Sequence, residues 1–378
     1  MPKKITIFGS TGSIGQSTIN VIRQNPNQYQ VQTLVAGSNY QLLAKQAKEL
    51  KPQNIAIKEQ KHYQALKDLL KDQNIDIHTS QEAIDQLATQ KCDIFVAAIT
   101  GIQALRAIFN AINAGSNIGL ANKECLVACG SLIKQAAKKS GSKLLPIDSE
   151  HNAIFQIFEK DNFANINDVI LTASGGPFLK TPLDQFDQLT PDMAIKHPNW
   201  PMGKKISVDS ATMANKSLEV IEAHHLFDLS SDKIKILIHP QSIIHGIVNY
   251  SDGSSLSMMG VPNMQIPISY VLNYPKRATL KDVDLNLAKI GQLDFIELDH
   301  KRFPIVKLAY DTLKQGQNAP CIFNAANEMA VNLFLNNQIK FPQIAQIIDE
   351  VLQKTSIFNL SSIDDVINCQ THVNELKI

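Results

Sequence analysis

The sequence predicts an α/β protein: a doubly wound parallel sheet first, a central α/β domain next, and a helical bundle at the C-terminal end. Three observations carry this expectation. Over the first 150 residues short apolar runs alternate with segments of helical period, the rhythm of βαβ units. After Asp148 strand-like runs follow one another more closely, two of them around the turn signal Ser251-Asp252-Gly253. From about Phe303 onward the chain reads as helix after helix.

Taken in order, "KKITIF" is a strand and "SIGQSTINVIRQN" a helix with Ile14, Ile19 and Ile22 near one face. "YQVQTLVAG", "QNIAIK", "IDIHTS", "CDIFVAAITG", "NIGLAN" and "KLLPID" continue the strands. "YQLLAKQAKEL", "KHYQALKDLLKDQ", "QEAIDQLATQ", "IQALRAIFNAINAG" and "CLVACGSLIKQAAKKSG" are the helices between them, with the short connections such units need. Beyond Asp148, "NDVILTAS", "KKISVDS", "IKILIHP", "SIIHGIVNY" and "SSLSMMG" read as strands and "TMANKSLEVIEAHHLF" as a helix. "IKHPNWPMGKK", rich in Pro and Gly and holding the only tryptophan, reads as a loop or lid. The boundaries expected are 1–149 for the first domain, 150–285 for the second with a flap near 195–205, 286–302 for a linker, and 303–378 for the helical domain.

With 378 residues the chain can form roughly two or three cored domains. Thirty-six Lys and Arg against 35 Asp and Glu give no electrostatic argument for nucleic acid or an anionic membrane as partner. No apolar run approaches bilayer length, and the run after the basic Met1–Lys4 stops at Gly9, as a strand does and a signal peptide does not. Five scattered cysteines form neither a CxxC nor a zinc spacing, which suits reduced, packed thiols and a cytoplasmic location.

"IFGSTGSIGQS" sets Gly9, Gly12 and Gly15 between a strand and a helix, where backbone can turn tightly and approach a pyrophosphate at a helix N-terminus. The spacing is G-x-x-G-x-x-G, so its place in the strand–turn–helix unit carries more weight than the pattern. The second strand ends in Gly37, Ser38 and Asn39. The lack of a carboxylate there removes repulsion of a 2′-phosphate and leans toward NADP, and the lack of an adjacent arginine leaves the preference open.

"LLPIDSEHNAIFQ" delivers Asp148, Ser149 and Glu150 to the end of a strand and the start of a helix. They suit a helix cap. They also stand where ligands bind an open α/β sheet. If "VDSATMANKSLEVIE" is helical from about Thr212, Asn215, Lys216 and Glu219 share a face, an arrangement a solvated face would also give. Hard oxygen donors suit Mg²⁺ or Mn²⁺ better than zinc. Ser174 in "TASGGPF", Ser210, Asn215 and Lys216 offer donors for a substrate phosphate. His224 and His225 read as ordinary helix residues.

Together "GSTGSIG", "ANKE", "DSEHNAIFQ", "SGGPF", "HPNWPMGKKISVDSATMANKSLE", "HPQSIIHG" and "NAANE" resemble the 1-deoxy-D-xylulose 5-phosphate reductoisomerase family over essentially the whole chain. The resemblance implies a Rossmann-like NADPH domain, a catalytic domain with a flap, a C-terminal helical bundle, and a homodimer. It implies Asp148, Glu150 and Glu219 as ligands of a divalent metal, Mg²⁺ or Mn²⁺, with Co²⁺ as a further candidate. Lys123 and Glu150 are the implied catalytic groups. Ser149, Ser174, His197, Trp200, Ser210, Asn215, Lys216, Glu219 and Met264 join them at the substrate, and Met202 and Pro262 complete the covering wall. Thr11, Gly12, Ser13, Ile14, Gly37, Ser38, Asn39, Asn122, Glu124 and Gly203 are the implied NADPH positions. Ser38 stands where several family members carry Lys or Arg.

The implied reaction rearranges the carbon skeleton of a phosphorylated ketose to a branched aldehyde phosphate, and NADPH then reduces it to 2-C-methyl-D-erythritol 4-phosphate in non-mevalonate isoprenoid synthesis. Two rivals differ in kind. A metal-free NADP dehydrogenase would work after chelation and leaves the acidic residues unexplained. A dinucleotide sensor would bind without turnover and needs a partner module, for which no basic recognition helix stands out.

Overall fold

The computed structural model describes residues 1–196 and 203–376, which fall into two compact units. The first comprises Met1–Cys125, Ile133–Asn152 and Asn263–Val283. Its seven strands are β1 (Lys3–Phe8), β2 (Tyr29–Ala36), β3 (Asn54–Ile57), β4 (Asp76–His78), β5 (Ile94–Ala97), β6 (Asn117–Leu120) and β7 (Leu144–Pro146). They pair in parallel in the order β4-β3-β2-β1-β5-β6-β7. Helices cover both faces of such a sheet, so its inner strands are apolar runs and do not alternate. Ile5, Ile7, Phe8, Ile55, Ile57, Phe95 and Val96 are all buried. Strand order reverses at β1 and β5, where the Phe8 and Phe95 rings lie 4.6 Å apart. That reversal opens a crevice beyond the carboxyl ends of the strands, the place where dinucleotides bind.

One element of this unit comes from far along the chain. The helix Gln265–Asn273 buries Pro267, Ile268, Val271 and Leu272. It approaches β6 so closely that a Cβ added at Gly119 would stand 3.1 Å from Val271 and 3.2 Å from Ile147. The Lys3 ammonium donates to the carbonyls of Leu272 and Tyr274 at 3.0 and 3.2 Å, at the helix's carbonyl end.

The second unit comprises Leu126–Leu132, Ala153–Pro262 and Asp284–Ile378. Its sheet contains β8 (Ile166–Ala173), β9 (Ile234–Ile238), β10 (Ile244–Tyr250) and β11 (Ser255–Met259), in the order β11-β10-β8-β9. β10 runs antiparallel to β8 and β11, and β8 parallel to β9. The expected hairpin forms around Ser251–Gly253, with Tyr250 N–H donating to the Ser254 carbonyl at 2.9 Å. The helix Ala214–Phe227 packs Val220, Ala223 and Phe227 against Val169, Leu171, Ile234 and Val248 of the sheet. The helices Pro304–Gln315, Ala319–Leu335, Gln343–Lys354 and Ile363–Asn374 complete the unit. The last starts in a capping box made by Ser362 and Asp365.

One expected element is wrong. "KKISVDS" forms the helix Lys204–Thr212, not a strand. The Ile-Ser-Val-Asp alternation covers too few residues to separate the two periods. Ser207 and Ala211 are small and buried four residues apart, so this is a helix face packed closely against its surroundings. Met213, at φ +65°, ends it and turns the chain into Ala214–Phe227.

The Tyr310 hydroxyl donates to the Ile234 carbonyl at 2.8 Å, and burial pushes its pKa up to about 12 from an ordinary 10.0. The folded chain therefore keeps this proton after the unfolded chain has released it. Stability from this group is full below pH ~10 and is lost as pH rises toward ~12. We expect Tyr310→Phe to cost about 1 kcal/mol at pH 8 and to flatten the stability loss toward pH ~11. Urea titrations of both proteins at the two pH values check this; parallel losses would show that another group dominates.

Candidate active site

In the first unit the β1 turn is built on backbone alone. Gly9 and Ser10 N–H both donate to the Val35 carbonyl at 2.9 Å. Gly9 sits at φ +93°, and a Cβ there would lie 2.4 Å from the Ala98 carbonyl oxygen. A Cβ on Gly15 would lie 2.2 Å from the Gly9 oxygen. The helix Ser13–Gln24 begins after Gly12, with no side-chain cap and no acid in its first turn. Its leading N–H groups and positive end are therefore left for an anion. Thr11 and Ile14 are half-buried, while Gly12 and Ser13 are exposed. Gly37, Ser38 and Asn39 follow β2, and the Asn39 side chain caps the next helix by accepting from Leu42 N–H at 3.1 Å.

Asn122 and Lys123 start the helix Lys123–Ser140. The Asn122 oxygen accepts from Cys125 N–H at 2.9 Å, and its amide donates to the Gly101 carbonyl at 2.7 Å and to that of Ile99. That side chain is buried and ties the loop after β5 to this helix, so Lys123 is delivered from a fixed point. Lys123 is itself buried and its ammonium hydrogen-bonds to Asp148 Oδ2. Glu124 is half-buried in the same first turn.

β7 delivers Asp148–Glu150 beyond its carboxyl end. The Asp148 carbonyl accepts from Asn152 N–H at 2.8 Å, which makes Asp148 the residue on which the helix Ser149–Ile157 starts. Its carboxylate stays outside that backbone role, with Lys123 on one oxygen and His151 Nδ1 at 3.9 Å from the other. Ser149 Oγ donates to Glu150 Oε2. Asn152 is buried and donates to the Pro146 carbonyl at 2.8 Å, fixing the turn from behind. Met264 is half-buried at the start of the helix Gln265–Asn273.

In the second unit Glu219 is 1% exposed and Lys216 3%. Glu219 accepts from Asn215 Nδ2 and Lys216 Nζ, each at 2.5 Å, which puts all three on one helix face as the i, i+3 and i+4 spacing requires. A buried carboxylate beside a buried ammonium is tolerable only because each compensates the other. Ser174 follows β8, and its Oγ accepts from Gly176 N–H at 3.3 Å. Gly176, at φ +67°, lies against the second candidate serine: a Cβ there would be 2.7 Å from the Ser210 carbonyl oxygen. Ser174, Ser210, Asn215 and Lys216 are thus gathered within one unit around the loop after β8 and two consecutive helices. Gly203 precedes the first of these helices and is exposed. His197, Trp200 and Met202 lie outside the described residues.

Sequence reasoning missed a network beneath Ser210. Asp209 is 1% exposed, receives Lys205 Nζ at 2.9 Å, and accepts from Asn327 Nδ2 at 2.9 Å. Asn327 and Asn324, three residues apart and both fully buried in an apolar helix, were the available signal. His224 and His225 prove structural. His224 Nδ1 lies 2.6 Å from the Leu229 carbonyl, and the His225 ring fills the space that a Cβ on Gly130 would occupy.

The models of three domains of one family match the chain: 1-deoxy-D-xylulose 5-phosphate reductoisomerase over residues 5–130, its C-terminal domain over 144–227, and the DXP reductoisomerase C-terminal domain over 259–376. The chain belongs to the 1-deoxy-D-xylulose 5-phosphate reductoisomerase family. The reductoisomerase of Haemophilus ducreyi is 46% identical, with 99% of this chain and 97% of the relative aligned, and that of Glaesserella parasuis is 45% identical over the same shares. Among solved structures, the Zymomonas mobilis reductoisomerase in complex with NADPH matches with a TM-score of 0.94 at 41% identity, over 99% of this chain and 97% of that one. A DOX-P reductoisomerase in complex with NADPH, fosmidomycin and magnesium matches with a TM-score of 0.94 at 38% identity, over the same shares. The matched ranges include every candidate site residue of this chain.

Proposed function

We propose that the protein converts 1-deoxy-D-xylulose 5-phosphate to 2-C-methyl-D-erythritol 4-phosphate, with NADPH and a divalent metal ion, as a cytoplasmic homodimer. Full-length family membership carries this reading. Among the described residues no helix is long and apolar enough to cross a membrane.

The residues fit both groups. The turn leaves the leading N–H groups of the helix Ser13–Gln24 for a pyrophosphate, and Gly9, Gly12 and Gly15 put no side chain in the way. Asp148, Glu150 and Glu219 offer oxygen donors alone, the set a hard ion such as Mg²⁺ or Mn²⁺ takes, with Co²⁺ also accommodated. A bound ion supplies Lewis-acid polarisation of the substrate's oxygens, and the nicotinamide supplies the hydride.

The chain's own residues do the rest. Lys123, held by its bond to Asp148, keeps an ammonium donor at the end of β7, able to stabilise charge developing on a substrate oxygen. Glu150 accepts a hydrogen bond from the Ser149 hydroxyl and is the acid or base for proton exchange at the substrate. Ser174, Ser210, Asn215 and Lys216 hold the phosphate through two hydroxyls, an amide and an ammonium. His197, Trp200 and Met264 complete the substrate site, Asn122, Glu124, Gly203 and Gly37–Asn39 the cofactor site.

The direct test is NADPH oxidation with 1-deoxy-D-xylulose 5-phosphate, with Mg²⁺ and again with EDTA. We expect turnover that falls by about a hundredfold or more on chelation and returns with Mn²⁺. Turnover that survives EDTA would refute the metal role; NADPH binding without turnover in any metal would refute the reaction.

A further inference from the structure

The carboxyl end of β2 carries Gly37, Ser38 and Asn39 and no charge of its own. The strand beside it supplies one. The parallel ladder runs on past β3, with Lys58 N–H donating to the Ala36 carbonyl at 2.9 Å and Glu59 N–H to that of Gly37 at 3.1 Å. Lys58 therefore stands level with Gly37, one strand spacing, about 4.8 Å, away. Its ammonium hydrogen-bonds to Gln103 Oε1, in the turn Ile102–Ala104 that follows β5. β2 and β1 lie between β3 and β5 in the sheet. The Lys58–Gln103 pair thus bridges the carboxyl ends of those two strands, over the crevice in which the adenosine half of a dinucleotide sits.

Two further observations bear on what the ammonium meets there. The space at Gly37 is open: a Cβ added to it would have no heavy atom within 4 Å. Glu59, the residue after Lys58 in the chain, is engaged with Lys61 at 2.7 Å and His62 Nε2 at 3.4 Å. The His62 ring in turn stacks on Tyr40 at 4.8 Å, the first residue of the helix after Asn39. The local charge is therefore matched at Glu59 and left positive at Lys58, whose present partner is a neutral amide.

We propose that Lys58 binds the 2′-phosphate of NADPH and sets the preference of this chain for NADPH over NADH. The proposal rests on the reading of the first unit as an NADPH site. Exchange of Gln103 for a phosphate dianion replaces a neutral acceptor by a charged one, and Ser38, two residues past the end of the neighbouring β2, brings an exposed hydroxyl to the same end of the sheet. An exposed ammonium and a phosphate are screened by salt, so the preference should fall as ionic strength rises.

The test is equilibrium binding of NADPH, NADH and 2′-phosphoadenosine to the full-length protein and to Lys58→Ala, Lys58→Arg and Ser38→Lys/Lys58→Ala. We expect Lys58→Ala to weaken NADPH and 2′-phosphoadenosine by about tenfold to a hundredfold and NADH by less than about twofold. Lys58→Arg should keep the preference and the double variant should regain it. Equal weakening of NADPH and NADH, or no weakening of either, would overturn the role of Lys58 while leaving the cofactor reading standing. Failure of the unaltered protein to favour NADPH over NADH would overturn both.

Discussion

Glu219→Gln is expected to lower kcat by about a thousandfold and to shift the Mg²⁺ or Mn²⁺ requirement upward by at least about tenfold. The substitution keeps size and shape, and removes one unit of negative charge from a side chain that is 1% exposed. Its effect therefore reports on charge. Two consequences should appear together. On the proposed ligand set, the loss of one of three carboxylates weakens the hold on a hard cation. Lys216, 3% exposed, loses a carboxylate partner inside the fold, so stability falls by about 3 kcal/mol in the absence of metal. Melting curves with and without Mg²⁺ separate the two. The unaltered protein should gain stability with added ion by mass action, and the variant should gain little at the same concentration. A variant with the same metal midpoint as the unaltered protein would remove Glu219 from the ligand set. Circular dichroism and NADPH affinity, read on the other unit, should stay unchanged.

Gly9→Ala is expected to be severely damaging to the first unit. At φ +93° an alanine is strained wherever it stands, and here its Cβ would meet the Ala98 carbonyl oxygen at 2.4 Å and carbon at 2.6 Å. Both atoms are backbone of the loop after β5, so no rotamer change relieves the contact. Strain and overpacking together should cost about 2–5 kcal/mol. Any relaxation must also pull the turn from Val35, to which Gly9 and Ser10 N–H donate. NADPH affinity should then fall by more than about tenfold even where the protein folds. Chemical denaturation and cofactor titration measure the two losses. Gly12→Ala is the internal comparison, since the contact there is milder, 3.3 Å from the Gly9 oxygen. Equal effects of the two substitutions would show that crowding at Gly9 does not decide the turn's conformation.

The parallel sheet was legible because burial on both faces leaves so little choice of residue. "ITIF", "IAI" and "IFVA" can hardly be anything but inner strands once helices flank them. Asp148 was legible in its local role for a similar reason: a strand that ends in Asp-Ser-Glu before an apolar-periodic run carries its own start signal. "KKISVDS" was misread because the residues that make it a helix, Ser207 and Ala211, act through what they pack against, and the sequence does not display those neighbours. The Asp209–Asn327 bond joins residues 118 apart and was out of reach for the same reason. Lys58 escaped notice because its relevance comes from strand order: only the β3-β2 pairing sets it beside Gly37.

The return of Gln265–Asn273 to the first sheet has a bearing on ancestry and on engineering. The unit that carries the glycine turn is not a contiguous cassette, because a piece of it is written more than a hundred residues after β7. A recombination event or a laboratory splice that exchanges residues 1–152 alone would leave the recipient to supply the helix that packs over Gly119. The two segments have to be inherited as a matched pair, so swaps of this half between distant relatives should succeed only when both travel together.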